Sequence, residues 1–189
     1  MNTGLILILV LVGGVLYLIS LYNRLVSLRQ SAEAAWSDID VQLKRRYNLI
    51  PALVDTVKGY KEYEGETLEK VIRARQMGLD ARSVKEHEQA DNMLTQALGR
   101  LFALAEAYPD LKANVNFLDL QQQLSQIEDA IQNARRYYNA VVRDYNTRIE
   151  SFPDLLIAQK FHFEPKEFFE LDESEVEAVK KMPKIDFEK

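Results

Sequence analysis

The chain contains no cysteine. A disulfide framework, a thiolate metal site, a cysteine nucleophile and a lipid-bearing cysteine are thereby excluded. Glycine and proline are scarce, at 7 and 5 of 189 residues. So few chain breakers, set among many Ala, Leu, Gln, Glu and Arg, favour long helices over sheet. Histidine occurs only twice, at His87 and His162. A di-iron bundle needs Glu three residues before each ligating His, and those places hold Val84 and Gln159. H-E-x-x-H, G-x-S-x-G, P-loop and G-x-G-x-x-G motifs are all missing. The expectation is therefore a solvated His87, a His162 inside an aromatic cap, and no catalytic residue, metal or cofactor. Glu62, Glu64 and Glu66 lie close together, but they read as a solvated face with nothing to fix cation geometry.

Charge is missing from the first 23 residues, so all 24 basic and 29 acidic side chains fall in the remainder, with a net charge of -5. That remainder is long enough for one domain with a real core. Its acidic balance argues against nucleic acid as a partner, because phosphate binding needs clustered Lys and Arg.

The uncharged start holds the run GLILILVLVGGVLYLISLY, Gly4 to Tyr22. As a helix it spans about 28 Å, near the hydrocarbon thickness of a bilayer. It reads as a membrane anchor that begins at Gly4 and Leu5, carries the tolerated pair Gly13 and Gly14, and ends with the interfacial aromatics Tyr17 and Tyr22. A cleaved signal peptide is disfavoured, because no Lys or Arg precedes the run and no small-residue cleavage site follows it. Arg24 and Arg29 follow the run, which places the bulk of the chain in the cytoplasm by the positive-inside rule.

No Gly or Pro falls between Gly14 and Pro51, so the anchor can continue as one helix into the distal part. Leu25, Leu28, Ala32, Ala35, Ile39, Leu43, Ile50, Leu53, Val57 and Tyr60 follow spacings of 3 and 4, with Arg46 at a seam position. Pro51 predicts a kink or short break near Tyr47–Pro51, and residues 61–66 are the expected first turn. A second helical pattern covers Thr67–Leu79, weakened by Gly78; Ala81–Gln89 reads as a helix end or exposed turn. Ala90–Tyr108 is amphipathic, Leu111–Phe117 is an Asn-rich loop, and Leu120–Ile149 keeps an unbroken 4-3 seam. The aromatic stretch Leu155–Phe169 is expected to fold back over an open end of the bundle. The predicted class is all-α, with a single N-terminal transmembrane helix continuing into an antiparallel up-and-down bundle. The expected division is residues 1–23 as anchor, 24–170 as bundle and 171–189 as charged tail.

The densest polar constellation is Trp36, Asp38, Asp40, Lys44, Arg45 and Arg46. Asp40 and Lys44 are i,i+4 partners in the favourable order. Arg46 on an apolar seam needs a buried acceptor, for which Glu128 or Asp144 could serve. The group is either a register-fixing lock and partner-binding patch or an ordinary helix surface. In Arg135-Arg136-Tyr137-Tyr138, Tyr138 is expected in the core and both arginines at the surface.

Three strings resemble the LemA family. They are YNRLVSLRQSAEAAWSDIDVQLKRRYNLIPALVDTVKGY from Tyr22, ALGRLFALAEAYPDLKANVNFLDLQQQL from Ala97, and ARRYYNAVVRDYNTRIESFPDLLIAQKFHFEPKEFF from Ala134. Family members commonly carry Gly between the two Phe of the third string, where this chain has His162. The resemblance implies a bacterial protein with an N-terminal anchor and a helical bundle, and it implies no catalytic residues. The expected function is a membrane-anchored, non-enzymatic scaffold or interaction protein that self-associates, on the inner membrane. The competing expectations are an adaptor or regulator of another membrane protein, such as a protease or transporter, and an enzyme of unrecognised type. The lipid bilayer and a second copy are the expected partners, with another membrane protein as a further one.

Overall fold

In the computed structural model, which describes residues 3–59 and 65–169, one helix dominates. This helix, α1, runs unbroken from Thr3 to Lys58. Its residues 3–20 are all exposed, and burial begins at Leu21. The exposed part is long and apolar enough to cross a membrane and contains Gly4, Leu5, Gly13, Gly14 and Tyr17. From Leu21 onward the predicted seam turns inward: Leu25, Ala32, Ala35, Ile39, Leu43, Ile50, Leu53 and Val57 are buried.

Pro51 causes no break in α1. Proline has no N–H, so the Tyr47 carbonyl one turn earlier loses its helical donor. Arg75 replaces it, donating from Nε to the Tyr47 oxygen at 2.8 Å. Arg75 lies on α2, Gly65–Asp80. Of the expected first turn, residues 61–64 lie outside the described residues, while Gly65 and Glu66 are already helical. Gly78 serves the packing of α2: a Cβ there would sit 2.3 Å from Cζ of Tyr47, so only glycine admits that ring.

Helix α3 spans Val84–Ala105, so the expected turn at Ala81–Gln89 is largely its first turns. Ser83 and Glu86 form a reciprocal capping box: the Ser83 hydroxyl accepts from the Glu86 N–H, and the Glu86 carboxylate accepts from the Ser83 N–H. The expected Asn-rich loop is shorter than predicted as well. Pro109–Lys112 forms a short helix, α4, and Asn114 caps α5 by accepting from the Phe117 N–H. Helix α5 then runs from Val115 to Glu150.

The pairs Arg46–Glu128 and Trp36–Tyr138 set α5 antiparallel to α1. Helices α2 and α3 form a hairpin packed beside them. Buried apolar side chains from all four helices make the main core; a second cluster near the start of the buried part of α1 holds Leu21, Leu25, Tyr145, Ile149, Ile157, Ala158 and Phe163. The class is all-helical, an antiparallel bundle continuing from a long apolar helix.

After α5 the chain turns at Phe152 and Pro153 into α6, Asp154–Lys160. It then runs without regular structure to Phe169. The stretch does fold back: Ile157, Ala158 and Phe163 pack at the end of the bundle with Leu21 and Leu25, and the residues from Glu164 onward lie along the side of α5. Asn139 and Asn146 each grip it through both amide atoms: Nδ2 of Asn139 donates to the Phe169 carbonyl at 2.7 Å and its Oδ1 accepts from the Phe169 N–H at 2.9 Å. Asn146 does the same with Lys166, at 2.9 Å each way. Tyr138 and Tyr145 donate to the carbonyls of Glu167 and Glu164. Burial holds the Tyr138 phenol up at about 12, protonated as this donation requires. His162 is exposed, not enclosed by aromatics, and has a φ of 54°. That left-handed backbone is what glycine tolerates best. The charged tail expected over 171–189 lies outside the described residues.

Candidate functional site

Three helices meet at Arg46. Its side chain enters the core from α1 and is only 3% exposed. Nη1 donates to Oδ1 of Asp91 on α3 at 2.6 Å. Nη2 donates to the Thr95 hydroxyl, one turn along α3, at 3.0 Å. Nη2 also lies 2.9 Å from Oε2 of Glu128 on α5. Glu128 thus fills the acceptor role expected of it, whereas Asp144 stays exposed beside Arg143. Asp91 is 1% exposed. Burial raises its carboxyl above the usual carboxylate range and the Glu128 charge adds to that, while Arg46 opposes both. Glu128 keeps contact with solvent and accepts from the Gln132 amide at 3.0 Å.

Beside this cluster lies an aromatic group centred on Trp36. Its ring sits 5.6 Å from Tyr138, 5.5 Å from His87 and 6.0 Å from Phe169. Arg135 is buried, not at the surface, with its guanidinium 4.5 Å from the Phe169 ring centre. Arg136 is exposed as expected. His87 is half-buried against Trp36 rather than solvated. Burial lowers its pKa below the ordinary histidine value, and Lys44 pushes the same way against Asp40, Glu86 and Asp91.

The six residues of the sequence patch divide between two faces of α1. Trp36 and Arg46 point into the bundle. Asp38, Lys44 and Arg45 are exposed. Asp40 is half-buried and holds Lys44 at 2.6 Å. The patch is therefore not one surface. Its inward members touch α3 and α5, Arg46 through Asp91, Thr95 and Glu128 and Trp36 through His87 and Tyr138. Two hydrogen bonds and one further ion pair hold the terminal nitrogens of the guanidinium, while its buried Nε has no hydrogen-bond partner.

Asp91 escaped the sequence reading, although it stands on the apolar row Asp91, Leu94, Leu98, Leu101 and Ala105. A carboxylate on that row marks a buried cation partner. Arg75, Asn139 and Asn146 escaped as well. The repeated pair Tyr138-Asn139 and Tyr145-Asn146, one heptad apart, was the available signal for the last two.

A groove with a volume of about 320 Å³ opens between α3 and α5 beside Arg46. Arg46, Thr95, Gly99, Phe102, Gln121 and Glu128 line it. Among the described residues no group of three or more His, Cys, Asp or Glu could hold a metal ion.

Comparison with known proteins gives consistent results. The chain is 30% identical over 176 residues to Protein LemA of Metamycoplasma hominis, covering 90% of this chain and 79% of that protein. It is 26% identical over 188 residues to Magnetosome protein MamQ of Magnetospirillum gryphiswaldense, covering 86% and 69%. A match of 26% over 189 residues, covering 86% and 70%, is found with Magnetosome protein MamQ 2 of Paramagnetospirillum magneticum. The model of the LemA family matches residues 35–187, from the middle of α1 through the gripped segment and beyond, and the chain belongs to that family.

Proposed function

We propose that the protein is a single-pass membrane scaffold without enzymatic activity, which holds a helical bundle at the membrane surface and self-associates there. One observation carries this reading: the exposed apolar run and the central helix of the bundle are the same unbroken helix, α1. A rigid connection of that kind suits a protein whose position and shape are its function. The buried charges support the same reading, since Arg46, Asp91 and Glu128 are spent on holding helices together. Arg24 and Arg29, which follow the apolar run, favour a cytoplasmic bundle. Ile72 and Met93 on the α2–α3 hairpin, and Val115 and Leu118 at the far end of α5, offer exposed apolar side chains for contact with another copy.

The test is in-cell crosslinking of the tagged full chain in its native membrane, followed by purification and mass spectrometry. Self-crosslinked species are expected. A stoichiometric second protein would instead make the chain an adaptor for that protein. Recovery of the chain from the soluble fraction would overturn the anchor itself.

A further inference from the structure

The corner between α5 and α6 exposes three large apolar side chains. Phe152 is 79% exposed, Leu156 56% and Phe161 54%. Side chains of this kind are normally covered, and three within ten residues call for a partner.

Their height along α1 identifies that partner. The register that sets Arg46 against Glu128 and Trp36 against Tyr138 brings Ile149 to the level of Leu25. Continued by three residues, it carries Phe152 to the level of Tyr22. Phe161 arrives at the same height by direct contact, its ring centre 4.9 Å from that of Tyr22. Leu156 is held there by its neighbour Ile157, which packs in the cluster with Leu21 and Leu25. Tyr22 ends the uncharged run, and Arg24 is the first charge after it. A hydrocarbon core of about 30 Å takes up about 20 residues of α1, which sets Tyr22 at the polar–apolar boundary. Aromatic side chains are favoured at that depth. Arg24 and Lys160 are exposed at this end of the bundle, as are two acids, Glu150 and Glu164. The basic pair suits lipid phosphates.

We propose that Phe152, Leu156 and Phe161 insert into the interfacial layer of the lipid bilayer and form a second membrane contact beside α1. This rests on the reading of α1 as a membrane span. The helix alone would leave the bundle free to swing about its exit point. The corner seats the base of the bundle on the lipid surface and limits that swing.

The absence of cysteine allows a direct test. Full-length Phe152→Cys, Leu156→Cys and Phe161→Cys variants are labelled with an environment-sensitive fluorophore and reconstituted in phosphatidylcholine vesicles. Leu11→Cys reports on the span, and Met93→Cys and Tyr137→Cys report on exposed positions far from it. Labels at 152, 156 and 161 are expected to be quenched by a doxyl group high on the acyl chain and to lose quenching by aqueous iodide. The label at 11 should respond to a deep doxyl group, and those at 93 and 137 to iodide alone. A lipid-quenched label at 11 with iodide-quenched labels at 152 and 156 overturns the corner contact and leaves the span intact. Labels shielded from iodide yet untouched by doxyl lipid mean that protein covers the corner, which also overturns it. A label at 11 that no doxyl lipid quenches removes the span itself.

Discussion

Arg46 and Asp91 are worth more as a pair than either is alone. Removing the cation leaves a carboxylate that is 1% exposed without its partner. Arg46→Met should therefore cost about 3–5 kcal/mol of stability, as breaking other buried ion pairs does. Arg46→Met combined with Asp91→Leu should recover most of that loss, because the buried carboxylate goes with its cation and Glu128 can turn to solvent. Thermal unfolding of the full chain in detergent, followed by circular dichroism, measures both. A double variant as unstable as the single one would sink this account of the pair. Pro51 and Arg75 form a second pair. Arg75→Met strands the Tyr47 carbonyl and should cost about 1–3 kcal/mol in the native background. In a Pro51→Ala background the new N–H can reach that carbonyl, so the same substitution should cost about 1 kcal/mol less. Equal costs in both backgrounds would mean that Arg75 does not act through this bond.

The helices were readable where their periodicity was strong, and less so at their ends. The buried positions of α1 and α5 recur at spacings of 3, 4 and 7, a pattern that burial imposes directly. The start of α3 was misread because its charged first turn hides the Ser83–Glu86 capping box, a local signal that outweighs composition. Gly78 looked like a defect in α2, since helix propensity counts it as a loss of about 1 kcal/mol relative to Ala. Its reason lies in another helix, in the Tyr47 ring that no local pattern reports. Arg46 was recognisable as a charge on an apolar seam, yet only the fold could bring Asp91 to it. The segment from Phe163 to Phe169 has no period to read, because amide groups on α5 hold it by its backbone. That grip makes a prediction. Asn146→Ala removes two hydrogen bonds to Lys166, at a local cost of about 1–3 kcal/mol. Limited proteolysis should then cut between Phe163 and Phe169 faster than in the wild type, while the helices persist. Unchanged cleavage in Asn139→Ala and Asn146→Ala alike would show that the apolar contacts of Phe163 and Phe169 hold the segment by themselves.

Stability of the assembled bundle should depend on pH through His87, which lies between α1 and α3. Burial against Trp36 is the main reason its pKa falls below 6.5 in the folded state. A depressed histidine binds its proton more tightly when unfolded, so its contribution is complete above 6.5 and is lost as pH falls through the lower, folded value. The melting temperature should drop between about pH 7 and pH 5, the range in which histidine charges. His87→Gln should flatten that drop, and an identical slope in the variant would assign the effect to other groups.

With α1 read as the span, continuity has a mechanical consequence. About 50 Å of this helix extends past Tyr22, and no break separates it from the part before. A spanning helix leans by about 20° on average, and further where its apolar run exceeds the bilayer; at about 20° the far end of α1 stands about 17 Å to the side. Bilayer thickness would then set where the tip of the bundle stands, and the protein would act as a lever that converts a property of the lipid into a position in the surrounding solution.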